Sequence, residues 1–110
     1  ANDMLKGLDP GLTEANLDTM LTEHKRREIP VLLAGMRAAP NLDPAYITRF
    51  EAIYASLARK HGTALYPFFM EGVAGQQGMV QADGLHPTFA GVKRIVSGIT
   101  PDVKRAVGRP

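Results

Sequence analysis

Apolar and polar positions follow two different rhythms along this chain. From Pro10 to Arg27, Leu12, Ala15, Leu17, Met20 and Leu21 recur at roughly helical spacing, with Asp9 as a capping residue and Pro10 in the first turn. A second helical stretch opens at Asp43-Pro44 and carries Tyr46, Ile47, Phe50, Ile53, Tyr54 and Leu57 before stopping at His61-Gly62. Val31 to Gly35 is instead a short unbroken apolar run, the pattern of a strand buried on both faces in a parallel sheet. Ala64 to Pro67 is a second short strand candidate. Residues 68–82 are irregular and glycine-rich, and a last helix is predicted from about Pro87 to Val107.

Helix and strand in alternation predict an α/β layer with a parallel sheet. Parallel strands need neighbours and cover on both faces, and two strands beside three helices do not supply them. Typical sheet sizes imply about three further strands from sequence outside this chain. The 110 residues, 45 % hydrophobic, suit one small domain or part of one. The expectation is that residues 1–110 form the C-terminal portion of a single domain. Thirteen basic against eleven acidic residues leave the charge nearly balanced, and Lys25-Arg26-Arg27 is read as a solvated helix end. No aromatic interleaving suggests a nucleic-acid platform, and no apolar run is long enough for a transmembrane helix. With no cysteine, disulfides and thiolate nucleophiles are excluded within this chain. His24, His61 and His86 are too scattered to argue for zinc. His24 is expected to be solvated, and His61 to be a helix-end residue near the last carbonyls.

The densest chemistry lies in Gln81-Ala82-Asp83-Gly84-Leu85-His86-Pro87. A carboxylate three residues before a histidine can bind one ring nitrogen and leave the other to accept a proton. Pro87 suits a first helical position, which would set His86 rigidly at a helix start. The same residues also read as an ordinary Asp-Gly turn with a helix cap.

A second block, Ala1-Asn2-Asp3, changes the balance. With the distal Asp-x-x-His-Pro it resembles the SGNH (GDSL-type) hydrolases, serine esterases and lipases. In these, a Gly-x-Asn-Asp block supplies an oxyanion-hole asparagine, and a C-terminal Asp-x-x-His block supplies two triad members. Ile29 to Leu42, Ala52-Ile53-Tyr54, Leu65 to Val73 and Gly91 to Val96 continue the resemblance in order, toward the arylesterase, acyl-CoA thioesterase I and lysophospholipase branch. Ala39 departs from it, standing where relatives often carry a second proline.

The resemblance implies the C-terminal part of a three-layer α/β/α flavodoxin-like fold, with N-terminal strands supplied from elsewhere. It implies a serine-dependent ester or thioester hydrolase in which His86 is the general base, Asp83 orients it and Asn2 donates to the oxyanion. Asp3 is expected to be structural. Met36, Arg37, Pro40 and Asn41 are candidates for a substrate-binding rim. The family's serine sits in a Gly-Asp-Ser block, whereas Ser56 and Ser97 lie in helical patterns outside any such block. The implied partner is therefore an N-terminal fragment of the same hydrolase carrying that serine, with a small acyl ester or thioester as substrate. No cofactor is implied. A periplasmic or secreted setting is favoured, with the cytoplasm as the alternative. Two other readings stand beside this one: a carbohydrate deacetylase on the same scaffold, and a non-catalytic fragment or binding module without the nucleophile.

Overall fold

Two of the helices start by the same device. Asp9 Oδ1 accepts the Gly11 N–H at 2.7 Å, and Asp43 Oδ1 accepts the Ala45 N–H at 2.9 Å. Pro10 and Pro44 follow as first helical residues, where no N–H is needed. Each cap contributes about 1 kcal/mol. The computed structural model describes residues 1–108, and the chain falls into two compact units, Ala1–Pro67 and the residues from Phe68 onward.

The first unit runs α1 (Asn2–Leu5), α2 (Pro10–Arg26), β1 (Leu32–Ala34), α3 (Pro44–His61) and β2 (Ala64–Tyr66). The two strands are parallel, pairing Leu32 with Ala64, Leu33 with Leu65 and Ala34 with Tyr66, and α3 makes the crossover between them. Beyond the strand ends, the Gly35 N–H still donates to the Tyr66 carbonyl at 2.8 Å. A Cβ at Gly35 would lie 2.2 Å from the Pro67 carbonyl oxygen, so only glycine admits this approach.

The core of this unit comprises Met4, Leu21, Leu33, Phe50, Ile53, Tyr54, Leu57 and Ala58. Phe50 is fully buried, stacked on Tyr46 at 6.4 Å between ring centroids and meeting Tyr54 edge-on at 5.7 Å. Burying each large apolar side chain is worth roughly 1.5–3 kcal/mol, so α3 and its aromatic triplet carry much of the unit's cohesion.

Two expectations change in detail. The inward face of α2 is Pro10, Thr13, Leu17 and Leu21, while Leu12 and Met20 are more than half exposed. Thr13 is buried because its hydroxyl donates to Asp3 Oδ2 at 2.9 Å, which also gives Asp3 the structural role expected of it. His61 does end α3, but its ring crosses to α2, with Nε2 2.6 Å from Asp18 Oδ1 and only 7 % of the side chain exposed. Lys60 Nζ reaches the same carboxylate at 2.9 Å. His61 bonded first, then Lys60, holds the Asp18 carboxyl below its ordinary value.

The second unit is the loop from Phe68 to Thr88 followed by α4 (Phe89–Ala106). The helix begins two residues later than Pro87, because Thr88 is its N-cap: the Thr88 hydroxyl accepts the Gly91 N–H at 3.2 Å. Pro87 instead belongs to the loop, in an antiparallel bridge with Val80. Gly91 and Ile95 are buried, whereas Phe89, Val92, Val96, Val103 and Val107 leave an apolar stripe exposed. Among the described residues no helix is long and apolar enough to cross a membrane.

Candidate active site

The loop from Gly78 to Thr88 is laced across its width. The Thr88 N–H donates to the Met79 carbonyl at 2.9 Å, and the Gln81 N–H donates to the His86 carbonyl at 2.7 Å. Thr88 Oγ1 donates to the Gly78 carbonyl at 2.7 Å, and Gln81 Nε2 to the Pro87 carbonyl at 3.1 Å. Inside this frame the Gly84 N–H returns to the Gln81 carbonyl at 2.9 Å. Gly84 has φ +71°, a left-handed turn conformation that glycine adopts without steric cost.

Asp83 closes the tip. Its Oδ1 accepts the N–H groups of Leu85 at 2.8 Å and His86 at 3.0 Å, an Asx turn. Its Oδ2 faces His86 Nδ1 at 2.5 Å. One carboxylate thus fixes both the backbone and the ring of His86. The ring's hydrogen bond, followed by the Leu85 and His86 N–H groups, pulls the Asp83 carboxyl down to about 2. An ionised carboxylate only accepts, so Nδ1 of a neutral His86 carries the proton and Nε2 keeps its lone pair. Nε2 takes no hydrogen bond among the described residues, and 72 % of the side chain is exposed. The arrangement fixes one ring nitrogen of His86 on a carboxylate and leaves the other facing solvent.

The other expected positions belong to the first unit. Asn2 is the first residue of α1 and exposed, and its side-chain amide has no hydrogen-bond partner among the described residues. Its neighbours tie the segment down: Met4 is in the core, Asp3 holds Thr13, and Tyr46 Oη donates to the Leu8 carbonyl at 2.6 Å. Met36 packs partly buried against the core, while Arg37, Pro40 and Asn41 are exposed along the loop that leaves β1. Ser56 and Ser97 are exposed on α3 and α4. Among the described residues no group of three or more His, Asp or Glu is placed to hold a metal ion. Sequence reasoning missed Gln81 and Thr88 as the fastenings of the loop. Thr88 was recoverable, since a threonine three residues before Gly91 at a helix start is a capping signal.

The chain belongs to the GDSL-like lipase/acylhydrolase family, whose model matches residues 1–94. It is 42 % identical to Esterase TesA of Pseudomonas aeruginosa over 103 residues, covering 94 % of this chain and 51 % of that protein. To Thioesterase 1/protease 1/lysophospholipase L1 of Escherichia coli it is 38 % identical over 86 residues, 78 % of this chain and 41 % of that protein. The chain thus spans about half the length of the curated relatives it matches. Among solved structures, TesA superposes with a TM-score of 0.88 at 41 % identity, covering 96 % of this chain and 58 % of that one. AlinE4, an SGNH-hydrolase family esterase, gives 0.72 at 46 % identity, with 96 % and 56 % covered. The α/β arrangement of helices around a small parallel sheet is that of these SGNH hydrolases, of which the chain covers little more than half.

Proposed function

We propose that this chain supplies the general base, its orienting acid and an oxyanion donor to a serine-dependent carboxylic ester hydrolase of the esterase, thioesterase and lysophospholipase type. The observation that carries the reading is the Asp83–His86 pair, with Nδ1 held at 2.5 Å and Nε2 open. A serine hydroxyl, on sequence preceding Ala1, gives its proton to His86 Nε2 as it attacks the acyl carbonyl. Asp83 keeps the ring in the required tautomer and stabilises the imidazolium that forms. The same Nε2–H is then delivered to the alcohol or thiol that leaves, and a water molecule repeats the cycle on the acyl-enzyme. The Asn2 amide donates to the negative oxygen of each tetrahedral intermediate.

In this reading residues 1–110 are the C-terminal portion of one hydrolase domain, and the chain is inactive by itself. The two-stranded parallel sheet and the exposed apolar stripe of α4 support that, since both call for further packed structure. Met36, Arg37, Pro40 and Asn41 are proposed to border the acyl group. The same chemistry would serve carbohydrate deacetylation, and a non-catalytic role would follow if no serine is supplied.

Intact mass spectrometry of the full-length protein after treatment with a serine-directed phosphonate tests the proposal, alongside p-nitrophenyl acetate and butyrate turnover. One phosphonyl adduct outside residues 1–110, with loss of turnover, is expected. Turnover that survives His86→Ala would remove His86 from the mechanism and with it this reading.

A further inference from the structure

Gly91 lies in the first turn of α4, where glycine is the poorest choice short of proline. Its reason for being there is not conformational, because its φ lies outside the left-handed region. It is buried, and a Cβ built on it would sit 2.2 Å from the Met79 carbonyl oxygen, 3.2 Å from the Met79 carbonyl carbon and 3.0 Å from Pro87 Cβ. Two of these atoms are backbone and the third is on a proline ring, so none can swing aside as a flexible side chain would. What rests on the bare Cα is therefore the foot of the loop that holds Asp83 and His86. Met79 also accepts the Thr88 N–H there, and Pro87 is covalently next to His86. From the other side, the Gln81 side-chain amide donates to the Pro87 carbonyl at 3.1 Å.

We infer that Gly91 and Gln81 are positioning residues for the base: Gly91 seats the loop against α4, Gln81 fastens Pro87, and together they set where His86 Nε2 points. Neither touches the reacting atoms. The inference rests on the hydrolase reading above and adds to it the residues that determine the aim of the ring.

The test compares Gly91→Ala, Gln81→Met and His86→Ala in the full-length protein. Helix propensity alone predicts that Gly91→Ala leaves activity intact and raises the melting temperature. The contact geometry predicts the opposite, because any Cβ must displace Met79 and Pro87. A misplacement of about 1 Å costs on the order of a hundredfold in rate, so kcat for p-nitrophenyl butyrate should fall about ten- to a hundredfold with KM nearly unchanged. The low-field proton resonance of the His86 Nδ1–H held by Asp83 should shift or broaden with it. Gln81→Met, exposed and of equal length, should fold normally and lower kcat by about threefold to tenfold, the effect of one neutral hydrogen bond.

If Gly91→Ala does not fold, Gln81→Met decides alone. Unchanged kcat in the folded variants, or a lower melting temperature with normal kcat, would overturn the positioning role. In that event an inactive His86→Ala leaves the hydrolase reading standing, whereas an active one removes the reading itself.

Discussion

Replacing Asp83 by Asn separates the two tasks of this side chain. Asn keeps an oxygen where Oδ1 accepts the Leu85 and His86 N–H groups at 2.8 and 3.0 Å, so the turn should persist. At Oδ2 it puts an NH₂ group 2.5 Å from His86 Nδ1. Two donors cannot share that contact, so the imidazole moves its proton to Nε2 and accepts at Nδ1. The nitrogen proposed to take the serine proton is then occupied. In a buried Ser-His-Asp triad this change lowers kcat by about 10⁴. Here 72 % of the His86 and 41 % of the Asp83 side chain are exposed, so water competes for the ring and dilutes the preference. The expected fall in kcat/KM for p-nitrophenyl butyrate lies between about 10² and 10⁴ in the full-length protein. Thermal melting at neutral pH should change little. A variant within about tenfold of the parent would refute the tautomer argument, since a wrong tautomer cannot cost so little. Acidification gives an independent check. The Asp83 carboxyl, held down to about 2, stays ionised through any assay above about pH 4, so loss of activity there belongs to another group. Because its folded value is depressed, its contribution to stability is complete above the unfolded value of about 3.9 and is lost as the pH falls towards about 2.

Removing the Asn2 amide by Asn2→Ala should lower kcat by about 10² to 10³ and leave KM nearly unchanged, because the oxyanion exists only after attack; steady-state kinetics showing a pure KM effect would reassign Asn2 to substrate binding. Phe50→Ala, which empties a fully buried site between Tyr46 and Tyr54, should cost about 3–5 kcal/mol in urea unfolding. A loss below about 1 kcal/mol would mean that the aromatic triplet does not organise the first unit. Asp18→Asn should lower the melting temperature at pH 7 and flatten its decline below about pH 4. The Asp18 carboxyl is depressed in the fold by His61 and Lys60, so its stabilisation is present above the unfolded carboxylate value and lost on acidification. Identical acid-side slopes in the two proteins would show that the Asp18–His61 contact carries no proton linkage.

The sequence disclosed some elements to the residue and misread others, for identifiable reasons. Asp9-Pro10 and Asp43-Pro44 fixed two helix starts because a cap and a proline act within three residues of each other. The strand candidates at Val31 to Gly35 and Ala64 to Pro67 are β1 and β2, the first shortened by one residue at each end and the second by its last residue. Periodicity alone draws the inward face of α2 through Leu12 and Met20, since it weighs side chains by hydropathy. Thr13 took the place because Asp3, ten residues earlier, satisfies its hydroxyl. His61 ends α3 as its place before Gly62 predicts, but nothing near it in sequence announces Asp18, forty-three positions away. Its fixed φ suits Pro87 to a first helical position, but the bridge to Val80 and the cap at Thr88 decide otherwise.

The candidate site divides along the same line. Every hydrogen bond that shapes the Asp83–His86 turn joins residues ten or fewer positions apart, within 78–91. A geometry encoded so locally can be read as a motif, and its physical rationale is complete in the string that spells it. Asn2 is the reverse case. Its segment is held by Thr13, by the Tyr46 hydroxyl on the Leu8 carbonyl thirty-eight residues away, and by Met4 in the core. No local pattern in Ala1-Asn2-Asp3 reports those anchors, so only family resemblance could single it out. The two parts of the proposed machinery therefore differ in what should disable them. The base depends on the integrity of one short turn and the glycine beneath it, whereas the amide depends on the packing of the first unit as a whole.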